Sequence, residues 1–396
     1  MNKIQRLLQE HCPNGVEWKP LGEVAEHKRG TTVTKNIAKE GIYPVISGGQ
    51  QPAYYIDQFN RRGETITVAG SGAYAGFVMY WNEPIFVGDA FSVKANEEQV
   101  LLRYIYHFLL SIQEKIHDLK SGGGVPHVYA KDVARFIIPL PPLPVQQEIV
   151  RILDKFTTLE AELEAELEAR KKQYEFYRDQ LLSYEGKEVD WKPLGKVGSF
   201  VRGNGLQKKD LITSGVPAIH YGQIYTYYGT YTNKTKSFVS QEFAQKTRKA
   251  HYGDLIIATT SENDEDVCKA VAWLGDGEIA ISSDACFYTH AMNPKYVAYY
   301  FQTELFQKQK SSFITGTKVR RVNANDLAKI IIPIPYPNDT KKSLEEQARI
   351  VAILDRFDTL VNSISEGLPR EIELRKKQYE YYREQLLSFP RHKVTA

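Results

Sequence analysis

The chain has 396 residues, of which 42% are apolar and 25% charged, an ordinary balance for a soluble globular protein of two or three domains. Its net charge of +3 is too small to identify a nucleic-acid partner. Three scattered cysteines without a Cys-x-x-Cys pair argue against a disulfide framework and a cysteine metal site. No apolar run approaches the ~20 residues of a membrane span, and the polar N-terminus lacks a signal peptide, so we expect a cytoplasmic protein with no membrane partner.

The first predicted domain covers residues 1–143. Short apolar runs such as residues 65–69 (TITVA) and 85–87 (IFV) are separated by Gly, Pro and Asn. This pattern predicts strands joined by turns. Residues 101–119 instead have the longer apolar pattern of a helix inside the domain.

The central segment, residues 144–186, is charged and almost free of Gly and Pro. Leu159, Leu163 and Leu167 begin an apolar stripe at helical spacing, so residues 145–183 predict one long amphipathic helix. Leu159 and Leu163 each open the tetrapeptide Leu-Glu-Ala-Glu, and Leu167 begins a third, incomplete copy, Leu-Glu-Ala.

The second predicted domain, residues 187–340, resembles the first in its local patterns. Residues 254–259 and 278–282 predict strands, and residues 294–310 predict a helix. A second charged segment, residues 341–396, then predicts a second long amphipathic helix, which the Gly-Leu-Pro sequence at its centre should kink or break.

The same landmarks occur twice, in the same order, which indicates an internal duplication. Single dipeptides match between the copies, among them Arg29-Gly30 with Arg202-Gly203 and Asp89-Ala90 with Asp284-Ala285. Four longer pairs match as well: residues 16–22 (VEWKPLG) and 189–195 (VDWKPLG), 136–141 (FIIPLP) and 330–335 (IIIPIP), 149–156 (IVRILDKF) and 350–357 (IVAILDRF), and 170–183 (RKKQYEFYRDQLLS) and 375–388 (RKKQYEYYREQLLS).

The interiors of the two copies, roughly residues 51–120 and 224–314, match only at scattered points. One structural frame therefore carries two different faces, which is typical of a binding protein with two different targets. The two long helices most simply pack against each other in antiparallel orientation. Residues 4–8 (IQRLL) are similar to residues 178–182 (RDQLL), so we expect the N-terminus to dock beside the C-terminal helix and restore a pseudo-twofold arrangement.

The Trp-Lys-Pro-Leu-Gly motif, the Pro-rich run and the helix carrying Arg-Lys-Lys-Gln-Tyr, each present twice, resemble the specificity (S, HsdS) subunits of type I restriction–modification enzymes. The resemblance covers nearly the whole chain. It implies an α+β protein with two pseudo-twofold-related α/β target-recognition domains, separated by two long helices that form an antiparallel coiled coil. In such proteins each variable domain reads one half of a bipartite, asymmetric DNA site.

The resemblance also implies partners and cofactors. The expected partners are double-stranded DNA, two methyltransferase (M) subunits and, through them, restriction (R) subunits. No cofactor is expected on this chain, since S-adenosylmethionine, ATP and Mg²⁺ would be bound by the partner subunits. The sequence lacks a phosphate-binding G-x-x-x-x-G-K-[ST] loop and the Asn/Asp-Pro-Pro-Tyr/Phe tetrapeptide of amino-methyltransferases, so we expect a non-catalytic recognition subunit.

The tetrapeptide repeat of the first helix has two interpretations. It is either a low-complexity helix or a ruler for the distance between half-sites. Each unit adds ~6 Å at the α-helical rise, close to two base-pair steps of ~3.4 Å. About 28 residues from Phe156 to Ser183 would span ~42 Å, enough to set the domains one DNA turn of ~34–36 Å apart. With ~3–4 base pairs read by each domain, ~6–7 unread pairs would lie between them.

Corresponding loops of the two copies are the candidate DNA contacts, because Gly-rich turns admit phosphates while Arg, Lys, Asn and Gln can address base edges. Each of these side chains has the alternative of being a solvated surface group, and each glycine of merely shaping a turn. The candidates are Arg29, Thr31, Gln50, Arg61, Arg62, Lys120 and His127 in the first copy, and Arg202, Asn204, Gln207, Lys208, Lys209, His220, Tyr221, Gln223, Thr317, Lys318, Arg320 and Arg321 in the second.

The repeated helix faces are the candidate partner surface, because similarity between the copies favours docking of two identical subunits. The candidates there are Leu163, Leu167, Arg170, Lys171, Tyr174, Arg375, Lys376 and Tyr379. Two other functions stay open. The chain could be a coiled-coil scaffold without a DNA role, or a nuclease with an unrecognised metal site, for which the acidic cluster at residues 262–266 is the only suggestion.

Overall fold

The computed structural model describes residues 3–33, 39–184 and 188–390. The chain forms two compact units: unit 1 comprises Met1–Glu164 and Glu371–Ala396, and unit 2 comprises Ala165–Arg370. The polypeptide thus leaves unit 1 inside the long central helix and returns to it near its end. The predicted domain boundary between residues 186 and 187 lies within residues 185–187, which are outside the described residues.

The helices and strands alternate in a mixed α and β order, which confirms the predicted α+β class. The helices are α1 (Lys3–His11), α2 (Leu21–Val24), α3 (Leu102–Ser111), α4 (Gln113–His117), α5 (Ala130–Val133), α6 (Leu143–Ser183), α7 (Leu194–Val197), α8 (Tyr221–Thr226), α9 (Gln241–Gln245), α10 (Pro294–Tyr300), α11 (Glu304–Ser311), α12 (Ala324–Leu327), α13 (Thr340–Asn362) and α14 (Leu368–Leu387). The strands are β1 (Glu17–Pro20), β2 (Ala25–Arg29), β3 (Tyr43–Ile46), β4 (Tyr55–Ile56), β5 (Thr65–Ala69), β6 (Val78–Trp81), β7 (Phe86–Val87), β8 (Ala90–Ala95), β9 (Ile137–Leu140), β10 (Val189–Pro193), β11 (Gly198–Arg202), β12 (Val216–Ile219), β13 (Tyr231–Thr232), β14 (Ser237–Val239), β15 (Lys249–Ala250), β16 (Leu255–Ala258), β17 (Thr260–Ser261), β18 (Ala270–Trp273), β19 (Ile279–Ile281), β20 (Ala285–His290), β21 (Arg320–Arg321) and β22 (Ile331–Pro335).

The sheets of the two units follow the same plan. Unit 1 has an antiparallel sheet in the order β2-β8-β5-β6 and a smaller one in the order β4-β3-β7. Unit 2 has a sheet in the order β11-β20-β16-β18-β13, a second in the order β14-β12-β19-β15 and a short β17-β21 pair. The central strands β5 and β16 are buried along their whole length, with α3 packed on β5 and with α8 and α10 packed on β16.

The repeated sequence landmarks pair with each other inside each unit. β1 lies antiparallel to β9 with Trp18 opposite Pro139, and β10 lies antiparallel to β22 with Trp191 opposite Pro333. The glycine that follows each strand is fixed by a close approach, because a Cβ on Gly22 would lie 3.1 Å from the Cβ of Ala134 and one on Gly195 would lie 2.9 Å from the Cβ of Ala328. The two motifs therefore recur together because they form one closing ribbon.

Two predicted helices are each interrupted. Residues 101–119 form α3 and α4, which meet at Ile112, where the backbone leaves the helical region at φ −115° and ψ 20°. Residues 294–310 form α10 and all of α11 except its last residue, and the side chain of Thr303 caps α11 by accepting the N–H of Phe306. A hydroxyl that competes for backbone donors favours a new helix start at that point, which the apolar spacing alone does not reveal.

The first long helix is continuous as α6, and the second is divided into α13 and α14, which confirms the predicted break. Gly367 lies at the break with φ +87°, a conformation that favours glycine. In unit 1, Phe156 stacks on Tyr382, while Glu164, further along α6, pairs at 2.9 Å with the earlier residue Lys376. These pairings make α6 and α14 antiparallel within this unit. None of the helices in the described ranges is long and apolar enough to cross a bilayer.

Each unit closes its core with a helix from elsewhere in the chain. In unit 1, Ile4 of α1 and Tyr379 and Leu387 of α14 join the buried core around β5 and α3. The N-terminus thus shares a core with the C-terminal helix, as predicted. In unit 2 the same place is taken by the end of α6, where Tyr174 and Leu182 join the core around β16 and α10.

Candidate nucleic-acid interface

The two Arg-Gly pairs lie at the ends of corresponding strands, Arg29 in β2 and Arg202 in β11. A Cβ on Gly30 would lie 2.2 Å from the carbonyl oxygen of Gly88. A Cβ on Gly203 would likewise lie 2.2 Å from a carbonyl oxygen, so only glycine fits either position. Both arginines are exposed. The two loops therefore correspond in structure as well as in sequence.

A short hairpin follows the helices in each unit. Ser121 and His127 exchange two backbone hydrogen bonds of 3.0 and 2.9 Å in unit 1, and Thr315 and Arg321 exchange two of 2.9 Å in unit 2. The turns between them are exposed, with Thr317 and other polar residues in unit 2. Glycines at positive φ, such as Gly316 at +87°, allow the tight return of the chain.

The predicted loops of unit 1 meet at Ser71. A Cβ on Gly48 would lie 2.4 Å from the carbonyl oxygen of Ser71, so the loop that contains Gln50 begins against this residue. His127 pairs with Ser71 as an isolated antiparallel bridge, and Lys120 donates to the carbonyl of Ala73 at 3.0 Å. Three loops far apart in sequence therefore converge on one end of the sheet.

Unit 2 brings its basic loops together around a cavity of about 310 Å³. Arg202 and Arg321 both line this cavity, together with the carboxylate-bearing Asp284 and the hydroxyl-bearing Thr260. His220 lies nearby, where burial lowers the pKa of its imidazole and the charge of Asp284 partly opposes that shift. The cavity combines donors and acceptors of the kind that address base edges.

Arg61 is a correction to the predicted DNA contacts. Its side chain is only 8% exposed, and the guanidinium donates to Ser92 Oγ at 2.7 Å and to the carbonyl oxygens of Lys28 and Arg29 at 3.2 and 3.0 Å. A buried guanidinium with these bonds holds the end of β2 and is not presented to a ligand. Arg62 is exposed, and its guanidinium lies 5.0 Å from the ring centroid of Phe59.

Several polar candidates of unit 2 are engaged within the protein. Asn204 accepts the N–H of Arg248 at 2.6 Å, and Gln223 donates to Ser237 at 2.7 Å. His220 caps α8 by accepting the N–H of Gly222 at 3.2 Å, and the ring of Tyr221 packs against the His220 imidazole with centroids 4.5 Å apart. These side chains shape the loops that carry the others.

The remaining candidates divide by exposure. Arg320 is half-buried, and its guanidinium pairs with Asp264 at 2.8 Å. Lys120 and His127 are also half-buried. The exposed candidates are Arg29, Thr31, Gln50, Arg62, Arg202, Gln207, Lys208, Lys209, Thr317, Lys318 and Arg321.

The acidic cluster at residues 262–266 is engaged by cationic side chains. The buried ammonium group of Lys310 donates to the carbonyl oxygens of Asp264 and Val267 at 2.7 and 3.0 Å. Asp264 pairs with Arg320, as above, and Asp266 pairs with Lys269 at 2.7 Å. No group of three or more metal-ligating side chains occurs in the part of the chain that the structure describes.

Two predicted partner contacts lie in the cores and need correction. Tyr174 is 5% exposed and Tyr379 is 6% exposed. The Tyr379 hydroxyl lies 2.8 Å from His107 Nδ1, and Tyr174 packs on the ring of Phe357. Leucine and tyrosine at helical spacing mark the face that a helix buries, which explains why these two residues are inaccessible.

The other predicted partner residues remain on the helix surfaces. Leu163 and Leu167 are half-buried, and Leu167 packs against the core of unit 2. The basic residues all form ion pairs: Arg170 with Glu166, Lys171 with Glu168, Arg375 with Glu371, and Lys376 with Glu160 and Glu164.

Sequence reasoning missed an exposed aromatic pair that occurs at matching positions in both units. Phe176 is 62% exposed and lies edge-on to Tyr177 with centroids 5.5 Å apart. Tyr381 is 59% exposed and lies edge-on to Tyr382 at 5.4 Å. The signal was present in the repeated sequences QYEFY and QYEYY. Large exposed aromatic side chains are typical anchors of protein interfaces.

Comparisons with known proteins agree with these features. A family model described as the type I restriction modification DNA specificity domain matches residues 13–169 and again residues 188–374. The type I restriction enzyme EcoR124I/EcoR124II specificity subunit of Escherichia coli is 31% identical, with 96% of each chain covered. The putative type I restriction enzyme specificity subunit S.HindORF215P of Haemophilus influenzae is also 31% identical, with 98% of each chain covered.

A solved structure shares the fold. The type I restriction–modification system S subunit from M. genitalium matches with a TM-score of 0.56 at 17% sequence identity. The match covers 94% of this chain and 96% of that chain. At this identity the likeness concerns the fold alone.

Proposed function

This chain belongs to the family of type I restriction–modification DNA specificity proteins, and we propose that it reads a bipartite, asymmetric DNA site for such a system. It carries two recognition domains, one in each unit. Each domain reads one half-site, and the two half-sites lie in opposite orientations along the duplex. The exposed Arg-Gly loops and hairpins are the surfaces that approach the DNA.

One observation carries this proposal: a single frame occurs twice with different side chains at its converging loops. Arg29 and Arg202 occupy the same structural position, but the hairpin of unit 1 carries glycines where that of unit 2 carries Thr317 and Lys318. Two domains with the same fold and different loops are suited to recognising two different DNA sequences. A scaffold protein would have no reason to keep the frame while varying the interior that carries these loops.

The proposed role is non-catalytic. Methylation and cleavage take place on partner subunits, which bind S-adenosylmethionine, ATP and Mg²⁺. Two methyltransferase subunits dock on this chain, and restriction subunits join through them. The exposed pairs Phe176/Tyr177 and Tyr381/Tyr382 support two equivalent docking sites, because they offer the same aromatic surface once in each unit.

The spacing between half-sites is set in this proposal by α6, which runs without interruption over its 41 residues. Its Leu-Glu-Ala-Glu units act as a ruler whose length determines the number of unread base pairs. The expected gap is ~6–7 base pairs, as one turn of DNA between the domains requires.

The test is methylation-sensitive sequencing of DNA modified by this chain together with its cognate methyltransferase subunit. A split motif with a fixed gap supports two recognition domains, and methylation at an uninterrupted site contradicts them. No methylation dependent on this chain favours the scaffold function. Mg²⁺-dependent cutting by the purified chain alone would instead favour the nuclease.

A further inference from the structure

Each unit has an aspartate at the corresponding position, where the candidate recognition loops converge. The side chain of Asp89 accepts a hydrogen bond from Ser71 Oγ. The side chain of Asp284 accepts one from Thr260 Oγ1 at 3.4 Å. The sequence repeat already matched the two aspartates, but it did not match their hydroxyl partners, which lie in the divergent interiors.

Backbone bonds repeat around each aspartate. The carbonyl of Asp89 accepts the N–H of Gly70 at 3.0 Å, and the carbonyl of Asp284 accepts the N–H of Thr259 at 3.0 Å. The carbonyl of Gly70 then accepts the N–H of Val128 at the exit of the hairpin. In unit 2, the carbonyl of Thr259 does the same for Val322, and both distances are 3.1 Å.

The residue after each aspartate anchors the Arg-Gly loop. The carbonyl of Ala90 accepts the N–H of Gly30 at 2.8 Å, and that of Ala285 accepts the N–H of Gly203 at 2.9 Å. The hydroxyl-bearing residue in turn pairs with the hairpin, Ser71 with His127 and Thr260 with Arg321. One Asp-Ala dipeptide in each unit therefore ties together three segments distant in sequence.

A negative charge in this place is unfavourable for attraction of a phosphate backbone, since the neighbouring loops carry Arg29 in unit 1 and Arg202 and Arg321 in unit 2. Any contribution of the aspartate to DNA recognition must therefore be different from non-specific attraction of the backbone. A carboxylate that accepts a hydrogen bond restricts the position of the donor's segment more than an apolar contact would, because a hydrogen bond depends on the direction of approach. The bond from Thr260 is long at 3.4 Å, so in unit 2 the backbone bonds around Asp284 carry more of the positioning.

We propose that Asp89 and Asp284 are positioning residues for DNA recognition, each of which sets the relative placement of the loops that read its own half-site through Ser71 or Thr260. This inference rests on the proposed function. Its consequence is that the two aspartates act independently. Loss of one bond should disturb the reading of one half-site and leave the other half-site intact.

The test substitutes the hydroxyl residues in the full chain, co-expressed with its cognate methyltransferase subunit. Ser71→Ala and Thr260→Val remove the hydroxyl, while Ser71→Thr and Thr260→Ser keep it and serve as matched controls. Methylated motifs are mapped by sequencing of the host DNA, and the rate of methylation is measured on the wild-type site. Thermal unfolding of each variant reports any loss of folding.

Ser71→Ala should lower methylation of the wild-type site about tenfold, the effect of one lost base contact, and relax the motif in one half only. Thr260→Val should relax the other half with a smaller loss of rate, because the bond that it removes is longer, and both control variants should retain the wild-type motif. If a hydroxyl-less variant unfolds, Asp89→Asn or Asp284→Asn replaces it, because the amide oxygen still accepts the bond but loses the charge. These amides should retain the motif at a reduced rate.

The proposal is overturned if folded variants without the hydroxyl keep both half-sites unchanged, or if either variant relaxes both halves equally. It is also overturned if Ser71→Thr or Asp89→Asn loses half-site selectivity as completely as Ser71→Ala does. Failure of the proposed function is distinguishable from these results, because the wild-type chain would then direct no split methylation motif at all.

Discussion

Arg61 and Arg62 are neighbours in sequence with opposite environments, and their substitution separates a structural arginine from a surface one. Arg61→Met keeps much of the aliphatic length but leaves Ser92 Oγ and the carbonyls of Lys28 and Arg29 without their donor. A hydrogen bond to a charged group contributes about 1.5–3 kcal/mol, and such bonds from one group are not additive. Removal of the buried charge also relieves its desolvation, so we expect a loss of about 3–4 kcal/mol in the free energy of unfolding of unit 1. Arg62→Met should change it by less than about 0.5 kcal/mol.

Amide hydrogen exchange measures this loss locally. Exchange in β2 and β8 should be faster by two to three powers of ten in Arg61→Met, since ~1.4 kcal/mol corresponds to a factor of ten. The amides of β16 in unit 2 serve as an internal control. DNA affinity should fall more in Arg62→Met than in folded Arg61→Met. A phosphate contact by Arg62 predicts a shallower salt dependence of binding for Arg62→Met. Equal protection of β8 in the two variants would refute the structural role of Arg61.

Three further predictions concern pH, docking and spacing. Burial lowers the pKa of His290 to about 4, so the folded state keeps the imidazole neutral while the unfolded chain protonates near pH 6.5. The free energy of unfolding of unit 2 should therefore fall by about 1.5 kcal/mol from pH 6.5 to pH 5, and urea denaturation of His290→Phe should lack this contribution. Phe176→Ser and Tyr381→Ser should each remove one of the two methyltransferase subunits from the assembly, which native mass spectrometry would detect. The control Tyr252→Ser, which also changes an exposed aromatic residue, should retain both subunits. An unchanged stoichiometry in the first two variants would contradict the docking sites. Insertion of one further Leu-Glu-Ala-Glu unit into α6 should widen the methylated motif by about two unread base pairs and leave both half-site sequences unchanged, whereas an unaltered gap would exclude the ruler.

The frame of the fold was predictable because the chain repeats it. The Trp-Lys-Pro-Leu-Gly motif and the Pro-rich run lie far apart in sequence, and their joint recurrence reflects a direct strand pairing, β1 with β9 and β10 with β22. The breaks at Ile112 and Thr303 were not predictable from apolar spacing, because the periodicity continues across both. At Thr303 the side chain caps the new helix, and after Ile112 the side chain of Gln113 bonds to the backbone of Gly76 and Val78.

The sequence repeat indicated which loops correspond in the two units, but it did not indicate the environment of single side chains. Sequence cannot distinguish Arg61 from its neighbour, because the difference lies in Ser92 and two carbonyls that the fold brings from other strands. Two of the predicted partner contacts are buried for a different reason. Tyr174 belongs to the buried stripe of α6, while Phe176, two residues later, lies roughly on the opposite side of the helix. A repeat identifies both residues as important and does not say which face each one occupies.

The return of the chain to unit 1 has a consequence for the order of synthesis. A ribosome synthesises all residues of unit 2 before it reaches Glu371. Unit 1 is incomplete until α14 has been synthesised, because this helix contributes Tyr379 and Leu387 to its core. The domain made first should therefore be the last to close, with His107 and Phe156 uncovered in the meantime. A nascent chain stalled before Glu371 would carry a finished second recognition domain beside an open first one, which chaperones and proteases would be able to recognise.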